Sequence, residues 1–237
     1  MSFSAESATR SAEEVRFRWE AILDARQWLM IYGMATSDAQ GGPWRPSGVA
    51  EVASIFSAFE GHWWVAGGRA IELAVGHQIR NQEDIDVLIL RRDHPKVQQV
   101  LHDWQWWVAD PPGTLRPWES SEVLPFRVHD IWCRPAESEP WRIQIMLDES
   151  VGNEWVSRRD PRIRRPISSL GITNAEGVPY LAPEVQLFYK AKQPRPKDEI
   201  DFAAVLPLLS TEQREWLSAS IRTSYGDEHP WREHLHS

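Results

Sequence analysis

The spacing of apolar residues changes twice along this chain, from helical to strand-like and back to helical. Between residues 12 and 32, apolar side chains recur every three or four positions behind a capping box that opens at Ser11, which predicts a first helix. Residues 36–48 are rich in Gly and Pro and predict a loop. A second helix is then expected behind a cap at Ser47, with its end at Gly61.

The middle of the chain has the short, β-branched runs that are typical of strands. A strand is expected over 62–66, followed by a tight turn at Gly67 and Gly68 and a helix that ends at Gly76. The clearest strand covers residues 85–90. The following elements are predicted to be a helix over 94–103 capped by Asp93 and strands over 104–109, 126–133 and 141–147. The last two strands are expected to pair antiparallel, so the sheet is mixed.

Helical spacing returns at Pro183 and continues through three segments, whereas the residues after Tyr225 are expected to be loosely held. The whole pattern predicts an α+β protein with a mixed sheet, flanking helices and a C-terminal helical domain. We expect an N-terminal helical segment packed on the core over 1–61, a sheet domain over 62–179 and a helical domain over 180–237.

Composition narrows the class of protein. The 237 residues carry a formal net charge of −8, which argues against a general nucleic-acid binder, because such proteins neutralise phosphates with many Lys and Arg side chains. The single cysteine, Cys133, excludes an internal disulfide, and no run approaches the roughly 18 apolar residues of a membrane span. We therefore expect a cytoplasmic protein without a membrane or nucleic-acid partner.

Two aspartates and a glycine turn form the candidate site. Side chains two positions apart in a strand project from one face, so Asp84 and Asp86 can hold a divalent cation, and their oxygen ligands favour Mg2+. The Gly67-Gly68 turn lets backbone N–H groups approach an anion, and the next helix adds its positive end. The combination indicates a site for a nucleoside triphosphate and its magnesium. The alternative is an ordinary strand end with two solvated aspartates.

The spacing within residues 67–86 resembles the signature of the aminoglycoside adenylyltransferase branch of the nucleotidyltransferase superfamily. That signature reads Gly-Gly-x-Ala-Ile-Asp, Gly, Arg and Asp-Asp-Ile-Asp. Here the matching residues are Gly67-Gly68-Arg69-Ala70-Ile71-Glu72, Gly76, Arg80 and Glu83-Asp84-Ile85-Asp86. The likeness continues through Tyr180-Leu181-Ala182-Pro183-Glu184 and Lys190, and then through Lys197-Asp198-Glu199-Ile200-Asp201, which is similar to the family's Lys-Asp-x-x-Asp helix.

The resemblance implies a polymerase-β-like nucleotidyltransferase fold and gives roles to particular residues. Asp84 and Asp86 would be the catalytic magnesium ligands, with ATP as the nucleotide substrate. The nucleotide contacts would come from Gly67, Gly68, Arg80, Lys190 and Lys197.

The departure from the family pattern that bears most on catalysis lies in a later strand. The family places a third carboxylate in the middle of a later strand, where it can bind the metal or take the proton of the acceptor. Here that position is Gln144, a neutral amide. Asp148 projects from the same face about 13 Å further along, at about 3.3 Å per residue, and is the candidate substitute among the catalytic residues.

Two other polar groups have open interpretations. His129 and Asp130 form either a polar pair near the site or a structural pair. The arginines of residues 157–166 form a triphosphate clamp, an RNA contact or a solvated basic loop; they are Arg158, Arg159, Arg162, Arg164 and Arg165.

The leading functional hypothesis is a magnesium-dependent nucleotidyltransferase that moves AMP from ATP to a hydroxyl of a small polar acceptor, such as an aminoglycoside antibiotic. The expected partners are thus a nucleoside triphosphate and a small molecule, and an antibiotic-resistance role follows from the resemblance. Two alternatives stay open: a nucleotidyltransferase that modifies tRNA or a protein, as in toxin–antitoxin systems, and a degenerate member that binds a nucleotide or a partner without turnover.

Overall fold

A computed structural model describes residues 42–111 and 113–236. The predicted first helix over 12–32 and the start of the predicted loop at 36–48 lie outside these residues. The α-helices of the described part are α1 (Val49–Phe56), α2 (Gly67–Val75), α3 (Val97–Val100), α4 (Pro183–Lys190), α5 (Pro196–Val205), α6 (Thr211–Tyr225) and α7 (Trp231–Leu235). Its strands are β1 (Trp63–Ala66), β2 (Asp86–Leu90), β3 (Gln105–Ala109), β4 (Leu115–Pro117), β5 (Asp130–Arg134), β6 (Ile143–Val151), β7 (Glu154–Val156), β8 (Arg164–Pro166), β9 (Gly171–Thr173) and β10 (Pro179–Leu181).

The strands form one mixed sheet, as predicted. Its main path runs in the order β4-β3-β5-β6-β2-β1-β10-β9, and β7 and β8 extend it beside β6. Two neighbouring pairs, β2 with β6 and β1 with β10, are parallel. The antiparallel pairing of β5 with β6 confirms the sequence prediction. No helix in the described part of the chain is long and apolar enough to cross a membrane.

Strand β2 lies between two hydrophobic cores because its residues after Asp86 are apolar and buried on both faces. Leu88 and Leu90 face a core that is completed by residues of α4, α5, α6 and α7. Val87 and Ile89 face the opposite core, which contains Val52 and Phe56 of α1. The uninterrupted apolar run that identified this strand in the sequence therefore reflects its central position.

The predicted boundary between the sheet domain and the helical domain falls inside β10. Tyr180 of that strand pairs with Val65 of β1, and the C-terminal helices share a core with the sheet. The division into 1–61, 62–179 and 180–237 stays a prediction.

Two predicted helix starts differ from the structure. Helix α1 has Gly48 as its N-cap, and the Ser47 hydroxyl makes no capping bond. The expected helix over 94–103 is a 3-10 helix over Arg91–Lys96, followed by the single turn α3. Pro95 has no N–H to donate to the carbonyl of Arg91, and the His94 ring nitrogen Nδ1 contacts that carbonyl at 2.6 Å instead. Asp93 lies inside this segment rather than at its cap.

The residues after Tyr225 are held more firmly than predicted. They form α7, and its Trp231 is only 1% exposed. The Trp231 ring stacks on Phe202 of α5 with the centroids 4.4 Å apart, and its indole N–H donates to Glu199 at 2.9 Å. Trp231, whose polar atom is satisfied, and the buried Leu235 dock this five-residue helix on the core, which short-range patterning does not show.

Replacing Trp231 by Ala should lower the free energy of unfolding by about 3–5 kcal/mol, because it removes a fully buried aromatic side chain. Urea denaturation measures this change. Ile200 on α5 is 50% exposed, so Ile200→Ala is the control, with an expected change of about 0.5 kcal/mol or less. A loss below about 1 kcal/mol for Trp231→Ala would contradict the docking of α7.

Candidate active site

A cavity of about 890 Å3 opens between the sheet and the segment that joins α4 to α5. Its floor comes from the start of β2 and from the neighbouring strands β6 and β5. The residues that line it are Gly67, Gly68, Arg80, Asp84, Asp86, Asp130, Gln144, Met146, Arg158, Arg159, Gln186, Tyr189, Lys190, Lys192, Gln193, Arg195, Lys197 and Asp198.

Strand register places the polar floor residues side by side. In the parallel pair β2 and β6, Asp86 lies opposite Gln144. In the antiparallel pair β5 and β6, Asp130 lies opposite Met146, two residues further along β6. Register partners project from the same face of a sheet, so all four side chains face the cavity. The Gln144 amide donates to Oδ1 of Asp130 at 3.2 Å.

The floor carries three carboxylates close enough to influence one another. Burial, together with the negative charges of Asp84 and Asp130, raises the pKa of Asp86 to about 7. A cation that binds beside Asp86 would therefore stabilise the ionised form of this carboxylate.

The turn between β1 and α2 requires glycine for two separate reasons. Gly67 has a φ of +66°, and a Cβ on it would lie 2.2 Å from Oδ2 of Asp86. The N–H of Gly67 donates to the side-chain oxygen of Gln186 on α4 at 2.8 Å. That bond was not expected, because the sequence pattern assigned this N–H to a phosphate.

The loop between α2 and β2 is held by Glu72, the last residue of the glycine motif. Its Oε1 accepts hydrogen bonds from the N–H of Ile79 at 3.2 Å and from the Gln82 amide at 3.0 Å. A Cβ on Gly68 would lie 2.1 Å from the Gln82 side-chain oxygen, so this glycine lets the loop close onto the turn. Glu72 therefore has a structural role in shaping the cavity.

Two cationic side chains of the cavity are oriented by buried aspartates of α5. Arg80 donates to both oxygens of Asp201 at 3.1 and 3.0 Å. Lys190 lies 2.8 Å from Asp201 and 2.8 Å from Asp198. Although burial opposes ionisation, hydrogen bonds from Arg195 and Lys190 hold the pKa of Asp198 below its ordinary value. The Lys-Asp-x-x-Asp motif thus fixes the cations in place.

Asp148 supports the cavity wall from behind and does not line the cavity. Its side chain is fully buried and accepts hydrogen bonds from the Trp155 indole at 2.6 Å and from the Tyr189 hydroxyl. It also lies 3.2 Å from Nε of Arg158, which does line the cavity. Burial opposes the charged form of Arg158. The negative charges of Asp148 and, less strongly, of Asp130 nevertheless raise the pKa of Arg158, so this residue stays cationic.

The structure brings together eight of the nine residues that the sequence singled out. Those that line the cavity are Gly67, Gly68, Arg80, Asp84, Asp86, Gln144, Lys190 and Lys197. Asp148 projects from the predicted face of β6 but is covered by side chains of β7 and α4. The roles of all these residues stay predictions.

Sequence reasoning left the positions of Asp130 and the arginine run open. Asp130 lies in the cavity, whereas its neighbour His129 is buried. Of the five arginines, Arg158 and Arg159 line the cavity. The other three form ion pairs with carboxylates that do not line it, namely Arg162 with Asp160, Arg164 with Glu154 and Arg165 with Glu184.

The carboxylate pair of Asp84 and Asp86 suits Mg2+ better than it suits a metal ion that needs three or more protein ligands. Among the described residues, no group of three or more His, Cys, Asp and Glu side chains is arranged to hold a metal ion. Mg2+ commonly takes one or two protein carboxylates and completes its octahedron with phosphate oxygens and water. Asp84 and Asp86 can supply those two carboxylates.

Comparison with known proteins places this chain in a class. It belongs to the aminoglycoside-2''-adenylyltransferase family, whose sequence model matches residues 48–205, more than half of the chain. Family membership confirms the resemblance found in the sequence and the expectation of an enzyme of the nucleotidyltransferase class. No curated protein sequence matches this chain.

Several solved structures are similar to it at low sequence identity. ANT(2")-Ia in complex with adenylyl-2"-tobramycin is 14% identical, over 75% of this chain and 98% of that one, with a TM-score of 0.47. The lincomycin-bound lincosamide antibiotic adenylyltransferase LnuA is 15% identical, over 71% of this chain and 100% of that one, with a TM-score of 0.49. An antigenic nucleotidyltransferase-like protein from Paracoccidioides brasiliensis is 15% identical, over 79% of this chain and 90% of that one, with a TM-score of 0.42.

Replacing Gly67 by Ala should destabilise the protein and displace Asp86, because both the positive φ and the carboxylate oppose a Cβ there. Gly76 is the matched control, since its φ is +83° but no atom lies within 4 Å of an added Cβ. Gly76→Ala should cost about 1–2 kcal/mol in urea denaturation, and Gly67→Ala should cost more. Equal losses for the two variants would show that Asp86 does not press on the turn.

Replacing Asp86 by Asn should stabilise the protein at pH 8. The raised pKa means that the folded state binds an extra proton between the ordinary value near 4 and about 7, so this group destabilises the fold increasingly across that window. The expected gain is on the order of 1–3 kcal/mol at pH 8, at about 1.4 kcal/mol per pKa unit, and it should shrink towards pH 5.

Magnesium should raise the melting temperature of the wild type at pH 8 but not that of Asp86→Asn, because the cation offsets the repulsion among the carboxylates. Thermal melts with and without Mg2+ test this. An equal stability of the two proteins at pH 8 would contradict the raised pKa.

Proposed function

We propose that this protein transfers AMP from magnesium-bound ATP to a hydroxyl group of a small polar acceptor, with pyrophosphate as the second product. The observation that carries this proposal is a single cavity that combines the Asp84 and Asp86 carboxylates with a wall of cationic side chains. The family of the chain supports the reaction class.

The charge of the cavity suits a triphosphate. Although the whole chain has a net charge of −8, the cavity wall carries more cations than anions. The cations are Arg80, Arg158, Arg159, Lys190, Lys192, Arg195 and Lys197, and the anions are Asp84, Asp86, Asp130 and Asp198. Positive side chains in a concave, partly desolvated site attract phosphate groups and stabilise the charge that develops on a leaving pyrophosphate.

The described residues have distinct tasks in this reaction. Asp84 and Asp86 would hold Mg2+, which supplies charge neutralisation and alignment of the phosphates when bound. Arg80 and Lys190, held by Asp201, would bind the phosphate chain, and Arg158, held by Asp148, would extend this contact. Because these cations are oriented before a nucleotide arrives, little reorganisation accompanies binding.

The acceptor is proposed to be an antibiotic-like molecule with a free hydroxyl. The family description names an aminoglycoside, and the solved structures include a tobramycin product and a lincomycin complex. The volume of about 890 Å3 lies in the upper part of the range for small-molecule sites, about 300–1,000 Å3, which suits two reactants side by side.

Nucleotide binding without turnover is the second candidate. It is motivated by Gln144, because this amide cannot accept a proton or bind Mg2+ strongly at the position opposite Asp86. Calorimetric titration with ATP and Mg2+ gives binding in both cases, so the release of pyrophosphate distinguishes the enzyme from a nucleotide sensor.

With ATP and Mg2+, the wild type should release pyrophosphate in the presence of at least one acceptor from a panel that contains tobramycin and lincomycin. Asp86→Asn should lower this rate at least about 100-fold, because it removes a carboxylate from the metal site. Mass spectrometry should show the acceptor heavier by one AMP group.

Asp103→Asn is the matched control, since this exposed carboxylate lies outside the cavity and its loss should leave the rate unchanged. ATP binding without pyrophosphate release across the panel would favour the second candidate. Absence of ATP binding with and without Mg2+ would refute both.

A further inference from the structure

Asp130 is a carboxylate in the cavity with no role in the tasks assigned above. It begins β5, faces the same side of the sheet as Asp86 and Gln144, and lines the cavity with them. The sequence pattern did not single it out, because it lies on a different strand from the one that carries the third carboxylate in the family pattern.

We propose that Asp130 is the proton acceptor of this enzyme, so that the third carboxylate has moved from β6 to the neighbouring strand β5. This inference rests on the proposed nucleotidyl transfer and names a further catalytic residue for it.

The position of Asp130 relative to the metal pair favours proton transfer over metal binding. Strand β6 separates β2 from β5, and adjacent strands lie about 4.8 Å apart, so Asp86 and Asp130 are about 10 Å apart across the sheet. Their pairing partners are two residues apart on β6, which adds about 7 Å along the strands, so the two backbones are about 12 Å apart. An acceptor hydroxyl and the α-phosphate fit in that interval. A single metal ion is not bound by all three carboxylates in this arrangement, in agreement with the lack of a three-ligand metal group among the described residues.

Gln144 has a defined place in this arrangement. Its amide donates to Oδ1 of Asp130 at 3.2 Å, which fixes the orientation of that carboxylate. A neutral amide does this without competing for the proton or for the metal, whereas a second carboxylate beside Asp130 would repel it. The amide at the expected third position therefore acts as a positioning residue for the carboxylate on the next strand.

The proposed step is balanced as follows. The oxygen of the acceptor hydroxyl forms a bond to the α-phosphorus as the bond from that phosphorus to the bridging oxygen of the β-phosphate breaks. Pyrophosphate leaves with the electron pair of the broken bond. The proton of the hydroxyl passes to a carboxylate oxygen of Asp130 and then to solvent. General-base assistance of this kind contributes about 10²–10⁴-fold to a rate.

The test moves the carboxylate between the strands. Pyrophosphate release with ATP, Mg2+ and the acceptor that the wild type uses best is measured for Asp130→Asn, for Gln144→Asp and for the double variant. Asp130→Asn should lower kcat about 10²–10⁴-fold, whereas its affinity for Mg·ATP, measured by calorimetry, should change less than about threefold. The double variant should regain at least about tenfold over Asp130→Asn, because it restores one carboxylate to the same face of the floor.

Each outcome has a distinct meaning. A wild type that releases no pyrophosphate with any acceptor refutes the proposed function, and the role of Asp130 with it. An active wild type with an Asp130→Asn kcat within about threefold refutes the role of Asp130 alone. A loss of Mg·ATP binding in Asp130→Asn equal to that in Asp86→Asn would make Asp130 a metal ligand and also overturn the inference.

A folding defect is separated from a catalytic one by the double variant. If Asp130→Asn unfolds, the kcat of a folded double variant tests the proposal instead. A carboxylate at position 144 restores activity only if the reaction needs a negative charge at the floor rather than the shape of β5. A folded double variant that is as inactive as Asp86→Asn would count against the proposal.

Discussion

The arrangement of the cavity depends on the ion pairs that the buried carboxylate of Asp201, on α5, makes with Arg80 and Lys190. This carboxylate accepts two hydrogen bonds from Arg80, which follows the glycine motif, and it lies 2.8 Å from Lys190 at the end of α4. An ionised group without solvent is stable only with such partners, so the two cations are needed for the fold as well as for the site. The same contacts join the C-terminal helices to the loop before β2, and they explain why helices that contribute few floor residues still determine the geometry of the wall.

The distribution of charge within the molecule matters more than its sum. The net charge of −8 argued against a general nucleic-acid binder, yet the cavity contains seven cationic side chains against four anionic ones. Part of that positive charge is balanced by carboxylates that face away from the cavity, such as Asp148 behind Arg158. The acidic surface and the basic cavity are thus compatible, and only the cavity bears on the nucleotide.

Local spacing in the sequence was enough to predict the glycine turn, the Asp84 and Asp86 pair and the five strands β1, β2, β3, β5 and β6, because these features depend on nearby residues. The short strands β4, β7, β8, β9 and β10 were not predicted. Predictions that depended on pairing between distant segments were less complete. Asp130 and Gln144 meet through the register of β5 and β6, which no period in the sequence shows. Asp148 was placed on the correct face of β6, but its burial beneath Trp155 and Tyr189 depends on β7 and α4. The segment over 94–103 departs from the predicted α-helix at Pro95, which has no N–H to donate.

The contact between Gly67 and Gln186 has an evolutionary consequence. The N–H of this glycine donates to Gln186 of α4, and the space where its Cβ would lie is occupied by Asp86, so three separate elements meet at one atom-sized gap. A substitution at any one of positions 67, 86 and 186 changes the fit of the other two. Among natural variants of this chain, these three positions should therefore drift together, even though Gln186 belongs to no motif.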